Sequence, residues 1–340
     1  MRFHIKSSIW ITIALLALAA SVLVSAGIGQ TGFTPPWVVA KAMLQEGDGG
    51  FGLSLIVWEL RLPRIFLAIF VGANLAIAGA LMQALFNNPM AEPYVLGASS
   101  GASFGAVIAM VMQWTGGVAG FNPIMLCAFS GTVIATVTVY SFARQDGRTS
   151  IASLLLTGIA VSALLGAVTT LILLRSDFYQ LRSALYWLMG GVAYRGWSDV
   201  AGILPYTFIC GGLAFLWRHN LNILGQGEET AYHLGLSPEK ARGFILVVAS
   251  LLTAASVATS GIIAFVGLMA PHLARLLVGP NHGPLIPLTA IIGALLLVWA
   301  DVIARTGSSG EELPLGVITG ALGSLFFLYL LNLQQRKHQP

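Results

Sequence analysis

The sequence predicts an all-α membrane protein, a single domain over residues 1–340 folded as a polytopic bundle of about ten spans. Composition is the first reason. Hydrophobic residues make up 56% of the 340 and charged residues only 9%, against about 25% charged in an ordinary soluble chain. So little charge cannot cover a water-facing surface of this size. Charge-free runs are the second reason. Between Ile65 and Ala143 only Glu92 is charged, and Thr149–Leu174, Phe244–Ala274, Leu276–Ala300 and Leu313–Gln335 contain no Asp, Glu, Lys or Arg. A span needs about 20 apolar residues. The third reason is the absence of period-two alternation, so helices and not a closed barrel satisfy the backbone in lipid.

The first apolar run, about Ile9–Ile28, follows the basic stretch Met1-Arg-Phe-His-Ile-Lys6. Ser25-Ala26 resembles a leader cleavage site, but the run is long enough to cross and many spans follow, so it reads as an uncleaved first helix. The spans fall at about 8–28, 60–86, 97–113, 123–143, 150–174, 198–217, 243–261, 267–278, 283–304 and 314–333. The eighth is short and carries Pro271, His272 and Arg275, so residues 262–282 read as a partial or irregular crossing. Two segments look soluble: 30–59, with Pro35-Pro36 and Gly49-Gly50, and the polar stretch 219–242.

Ten spans put both termini on one side. With that side cytoplasmic, ten basic residues lie inside (Arg2, Lys6, Arg144, Arg148, Arg218, Lys240, Arg242, Arg275, Arg336, Lys337). Seven lie outside (Lys41, Arg61, Arg64, Arg175, Arg182, Arg195, Arg305), the direction of the positive-inside rule. Small residues recur at four-residue spacing in Gly72, Ala76 and Ala80 and in Gly97, Gly101 and Gly105. They read as close-packing faces, with a pathway wall as the alternative. Gly79–Pro89–Gly97 repeats the spacing of Gly261–Pro271–Gly279, with too little matching sequence around it to establish a duplication.

No Gly-x-x-x-x-Gly-Lys-Ser/Thr loop is present, and none of the four lysines follows a glycine, so the chain does not bind ATP through that motif. Ion-coupled carriers place charge at mid-membrane depth. Here the span interiors are nearly uncharged, and Asp301 and Arg305, four apart, can pair with each other. Backbone carbonyls and hydroxyls remain able to bind sodium. The six histidines form no metal-ligand pair at helical spacing, and no nucleophile–base set is readable. Cys127 and Cys210 sit in apolar segments and read as packing residues. The scattered basic residues exclude a nucleic-acid surface. What remains is a translocator driven by other chains, neither an enzyme nor a holder of metal or cofactor.

Several motifs carry a resemblance. They are Arg61-Leu-Pro-Arg64; Gly79-Ala-Leu-Met-Gln-Ala-Leu-Phe-Asn-Asn-Pro-Met-Ala-Glu-Pro93; Leu96-Gly-Ala-Ser-Ser-Gly-Ala102; Tyr186-Trp-Leu-Met-Gly-Gly191; Gly261-Ile-Ile-Ala-Phe-Val-Gly-Leu-Met-Ala-Pro-His-Leu-Ala-Arg275; and Leu313-Pro-Leu-Gly-Val317. From about residue 50 to 333 the chain resembles the FecCD family of ABC-importer permeases, which serve vitamin B12, haem and ferric siderophores. The resemblance implies a type II importer permease in the cell inner membrane, of about ten helices. It implies a second permease copy, two cytoplasmic ABC ATPase subunits and a periplasmic substrate-binding protein.

The resemblance also implies roles. Arg61, Arg64 and Arg305 match outer arginines that face carboxylates of the binding protein, a task suited to the planar guanidinium fork. Headgroup contact, or pairing with Glu59 or Asp301, is the plainer alternative. Gly227, Glu228, Ala231, Leu234 and Gly235 match the cytoplasmic coupling segment, with a short helix from Glu228 to Leu234 stopped by Gly235. Asn88 and Met90 match one element of a cytoplasmic gate, and Ile151 and Ala152 a second. Iron chelate or haem is the expected cargo and cobalamin the alternative. An ion-coupled carrier and a non-transporting membrane subunit are the competing classes.

Overall fold

The computed structural model describes residues 2–29, 32–44, 52–114, 116–117, 122–145, 148–307 and 312–337. Gly49-Gly50, the centre of the Arg144–Arg148 loop and His338 lie outside the described residues.

Lipid offers no hydrogen bonds, so the chain bonds its backbone to itself. Helix α1 (Arg2–Gly27) is followed by a hairpin of β1 (Ile28–Gly29) and β2 (Gly32–Phe33), then α2 (Pro36–Leu44). Helix α3 (Leu53–Leu55) passes through a π-helical turn at Ile56–Arg61 into α4 (Leu62–Phe86), one 34-residue rod. A 3-10 turn at Pro93–Leu96 leads to α5 (Ala98–Val111) and α6 (Pro123–Ala143). A second hairpin, β3 (Arg144–Gln145) with β4 (Arg148–Thr149), precedes α7 (Ile151–Leu174), α8 (Phe178–Leu188) and α9 (Trp197–Leu216). The chain continues through α10 (Arg218–Leu224), α11 (Glu228–His233), α12 (Pro238–Ser260), α13 (Val266–Val278), α14 (His282–Thr306) and α15 (Leu315–Lys337).

Local chemistry places these boundaries. Asn122, Ser150, Asp177, Ser237 and Asn281 cap helices by accepting first-turn amides. Asn87 ends α4 in the left-handed region, at φ +45. Seven helices are long and apolar enough to cross a membrane, and the shorter apolar helices Ala98–Val111, Val266–Val278 and Leu315–Leu330 bring the described residues to ten. The predicted partial eighth crossing is α13. At 13 residues it is about 20 Å long, and it starts only after the non-helical residues 261–264.

Burial separates a centre from a periphery. The apolar windows of α4, α12 and α14 are 83%, 72% and 61% buried, and those of α1 and α7 only 17% and 11%. The small-residue faces do the close packing. A Cβ on Gly72 would run into the carbonyl of Gly293, and one on Gly79 into that of Gly267, so α4 lies backbone to backbone on α14 and α13. The two matched glycine–proline spacings do not occupy matching backbone: Gly79 lies within α4, whereas Gly261 ends α12 at φ +68.

The bundle has two chemically distinct ends. Arg64 at the start of α4 meets Asp301 near the end of α14, so these helices run antiparallel. That end is called the Arg64 end, and the opposite one the α11 end. Helix α9 has Trp197 at its start and Trp217 just past its end. Its 20 residues span about 30 Å, the thickness of a bilayer's hydrocarbon core, with a tryptophan at each edge.

Gly79→Ala is expected to lower thermal stability in lipid nanodiscs by about 1–3 kcal/mol through overlap with Gly267. Gly166→Ala, where a Cβ meets open space, should be neutral or stabilising.

Candidate functional site

At the Arg64 end, a π-turn and Pro63 deliver the Arg61 and Arg64 side chains beside the ends of α14 and α1. Arg64 places Nε and Nη2 each 2.8 Å from Asp301 Oδ1, and Nη1 2.8 Å from Glu312. The Asp301 side chain is only 1% exposed. Its Oδ2 lies 3.1 Å from Arg305 Nε, whose N–H points instead to the Asp301 carbonyl, so this second contact is a charge contact and not an aligned hydrogen bond.

Arg305 and Arg61 share another task. Arg305 Nη1 donates to the carbonyls of Ser25 and Ile28, at 3.3 and 2.9 Å, and Nη2 to Ser25 Oγ at 2.6 Å. Arg61 Nη1 donates to the Ala26 carbonyl at 2.6 Å. The last carbonyls of a helix lack intrahelical partners and carry partial negative charge. Two guanidiniums therefore cap the C-terminus of α1. All three predicted arginines border one cavity of about 600 Å³, together with Glu59, Tyr194, Arg195 and Glu312. Arg195 stands 3.7 Å from Asp199; burial pulls its pKa below the ordinary guanidinium value and Asp199 opposes the shift. A neighbouring cavity of about 490 Å³ joins Arg64 to Arg182, Tyr186 and the 190–195 loop.

At the opposite end, α11 covers the predicted coupling segment. Gly227 enters it at φ +103 and Gly235 leaves it at φ +83. Leu236 N donates to the Ala231 carbonyl and Gly235 N to that of Tyr232, each at 3.0 Å, a paired stop that uses up the last carbonyls. Ala231 is fully buried, while Tyr232 is 71% and Leu234 59% exposed. Glu228, Glu229, Thr230, Tyr232, His233 and Leu234 are all exposed, and Ala231 seats the helix.

An ion network ties α11 to its surroundings. Arg242 bridges Glu228 and Glu239. Glu239 in turn accepts from the Thr149 amide at 3.1 Å, from the Thr149 hydroxyl, and from Tyr140 Oη at 3.3 Å. This chain of contacts leads from α11 to the turn that opens α7, where Ile151 and Ala152 stand. Asn222 of α10 makes a second tie: its Oδ1 accepts from the His282 amide at 2.9 Å, and its Nδ2 donates to Asn281 at 3.0 Å.

Asn88 and Met90 form a tight turn after α4, with the Met90 amide donating to Asn88 Oδ1 at 2.9 Å. Asn88 borders a cavity of about 610 Å³ with Gln83, Asn222, Arg275 and His282. Ile151 and Ala152 are not among its lining residues; Ile151 packs on the core around Phe86 and Ala91. Among the described residues no cluster of His, Cys, Asp or Glu could hold a metal.

Sequence reading missed α8, the Glu239–Arg242 network and the Asn222 tie. Helix α8 carried a signal: Asp177 and Gln180 form a reciprocal capping box. The other two join residues 90 and 60 positions apart, beyond any local pattern.

Asp301→Asn removes the charge that Arg64 and Arg305 share and should lower stability by about 3–5 kcal/mol. Arg61→Ala, which leaves the Ala26 carbonyl without this donor, should cost about 1 kcal/mol. Thermal unfolding in nanodiscs measures both.

Known proteins place this architecture. The cobalamin import system permease protein BtuC of Halobacterium salinarum is 45% identical over 279 residues, 82% of this chain and 74% of its own. The Fe(3+)-citrate import system permease protein YfmD of Bacillus subtilis is 39% identical over 277 residues, 82% of this chain and 81% of its own. A solved metal-chelate type ABC transporter in an inward-facing conformation superposes with a TM-score of 0.84 at 28% identity, covering 95% of this chain and 98% of that one. Residues 15–332 match the FecCD transport family, and the chain belongs to that family.

Proposed function

We propose that this chain is the membrane-spanning permease of an ATP-driven importer that moves a ferric chelate or haem from a periplasmic binding protein to the cytoplasm. The observation that carries the reading is the division of labour along the bundle. A rigid helix with exposed Tyr232 and Leu234 stands at one end, an arginine-lined cavity at the other, and nearly uncharged spans lie between. Family membership supports it, because permeases of ABC importers work with ATPase and substrate-binding partners. The α11 end faces the cytoplasm in this reading, with both termini, in the inner membrane. Two ATPase subunits seat on the α11 helices of two permease copies. The chain performs no chemistry of its own.

At the outer end, Arg61, Arg64 and Arg305 form the docking rim. Arg61 meets the partner's carboxylates, while Arg64 and Arg305 hold the rim in shape through Asp301. At the inner end, Asn88 and Met90 with Ile151 and Ala152 form the gate. The Glu228–Arg242–Glu239–Thr149 contacts supply a continuous route from the coupling helix to the second gate element. Cobalamin is the second reading of the cargo, favoured by the name of the Halobacterium relative.

Arg61→Glu should weaken association with the binding protein by at least about tenfold; unchanged affinity in a pull-down at physiological salt contradicts the docking role. Leu234→Asp with Tyr232→Asp should abolish co-purification with the ATPase subunit while leaving the permease folded, since both side chains already face outward. Full ATPase recovery with that double variant removes α11 from the coupling role.

A further inference from the structure

Glu92 is the only charged residue between Ile65 and Ala143, and the transport reading leaves it without a task. It lies on the segment that turns back from α4 into the bundle, just ahead of the Pro93–Leu96 turn. That turn packs on α7 at Gly158, about two helical turns from the α11 end, against the Val95 carbonyl. Glu92 therefore stands inside the bundle, where a carboxylate without a partner is costly.

Its partner is a helix start. Glu92 Oε1 accepts from the Phe265 amide at 2.8 Å, immediately before α13. The first amides of a helix lack partners and carry partial positive charge. Glu92 thus caps α13 from another part of the chain. Tyr94, two residues on, grips the same stretch twice. Its hydroxyl donates to the Ile263 carbonyl at 2.9 Å and accepts from the Ile263 amide at 3.3 Å. Between them the two side chains hold the non-helical link from α12 to α13.

What they hold is strained. Phe265 has φ +66, a region that side chains with a Cβ avoid. Its ring lies on Gly323 of α15, where any added Cβ would overlap it. A Phe265 relaxed to negative φ would swing this ring off Gly323. Strain of this kind persists only where its surroundings impose it; here Glu92 and Tyr94 hydrogen-bond the stretch, and Gly190 and Gly316 pack on the Ile262 carbonyl beside it.

We infer that Glu92 and Tyr94 are positioning residues, a two-point latch that keeps Phe265 strained and so sets where α15 rests on α13. Opening the latch frees α15 to shift. Its opening during turnover rests on the permease reading; the latch itself does not.

Hydrogen exchange on the full-length chain in nanodiscs tests the latch. Glu92→Leu and Tyr94→Phe should speed exchange at residues 261–267 by about tenfold, the effect of losing one hydrogen bond to a charged or buried group. Exchange in α4 and α14 should stay as in the parent chain. Glu92→Gln keeps an acceptor and should restore most of the protection. Unchanged exchange at 261–267 in Tyr94→Phe overturns the latch, as does equally faster exchange throughout the bundle in Tyr94→Phe and Glu92→Gln; these two variants suffice if Glu92→Leu does not fold. In the assembled importer, Tyr94→Phe should lower chelate delivered per ATP hydrolysed at unchanged hydrolysis. An unchanged ratio removes the latch from the cycle. Absence of ATP-driven uptake by the parent chain would instead defeat the permease reading and leave the exchange result standing.

Discussion

Every amide and carbonyl inside the bundle must find its partner within the protein, because lipid supplies none. Helices meet that demand along their length but not at their ends, and several charged residues of this chain stand where helices end. Arg305 and Arg61 take the last carbonyls of α1. Gly235 and Leu236 close α11 on its own carbonyls. Glu92 takes the amide that opens α13. Charge is scarce in the sequence, and much of it is committed to this accounting.

The same constraint shapes the packing. With no hydrophobic drive between helices in lipid, close approach must come from small residues. Gly72 on Gly293 and Gly79 on Gly267 bring α4 against α14 and α13. The three most buried spans form a centre around which α1 and α7 present mostly exposed apolar faces. Such contacts also hold the non-helical link at 261–264: a Cβ on Gly261 would run into the Trp187 carbonyl, and one on Gly190 or Gly316 into the Ile262 carbonyl.

Much of the fold was legible in the sequence because span length and charge depletion are local properties. The run from Pro123 to Ala143 needed no partner to be read as a helix, and its bounds agree with the structure. The short α13 was legible in its extent, but Pro271, which suggested the irregularity, lies inside the continuous helix, and the non-helical residues are 261–264 ahead of it. Helix α8 was not legible, since its 11 residues are too few to span and its only signal is a capping box. The arginines were legible as a set, and the pairing with Asp301 kept open for them is the one Arg64 and Arg305 make, whereas the caps on α1 and the Glu312 contact were not legible. Asp301 pairs with Arg305 four residues on, which helical spacing suggests, and with Arg64 237 positions away, which it cannot. Ala231 was legible as part of the coupling segment, but its inward direction depends on how α11 seats on the bundle.

On the proposed reading, the nearly uncharged spans between two polar ends conduct while other chains supply the power. The direct measurement is uptake by sealed vesicles that contain this chain, its ATPase subunit and the binding protein loaded with ferric chelate. The account predicts uptake that requires ATP and proceeds with no ion gradient. Uptake driven by a proton or sodium gradient without the ATPase subunit would contradict it.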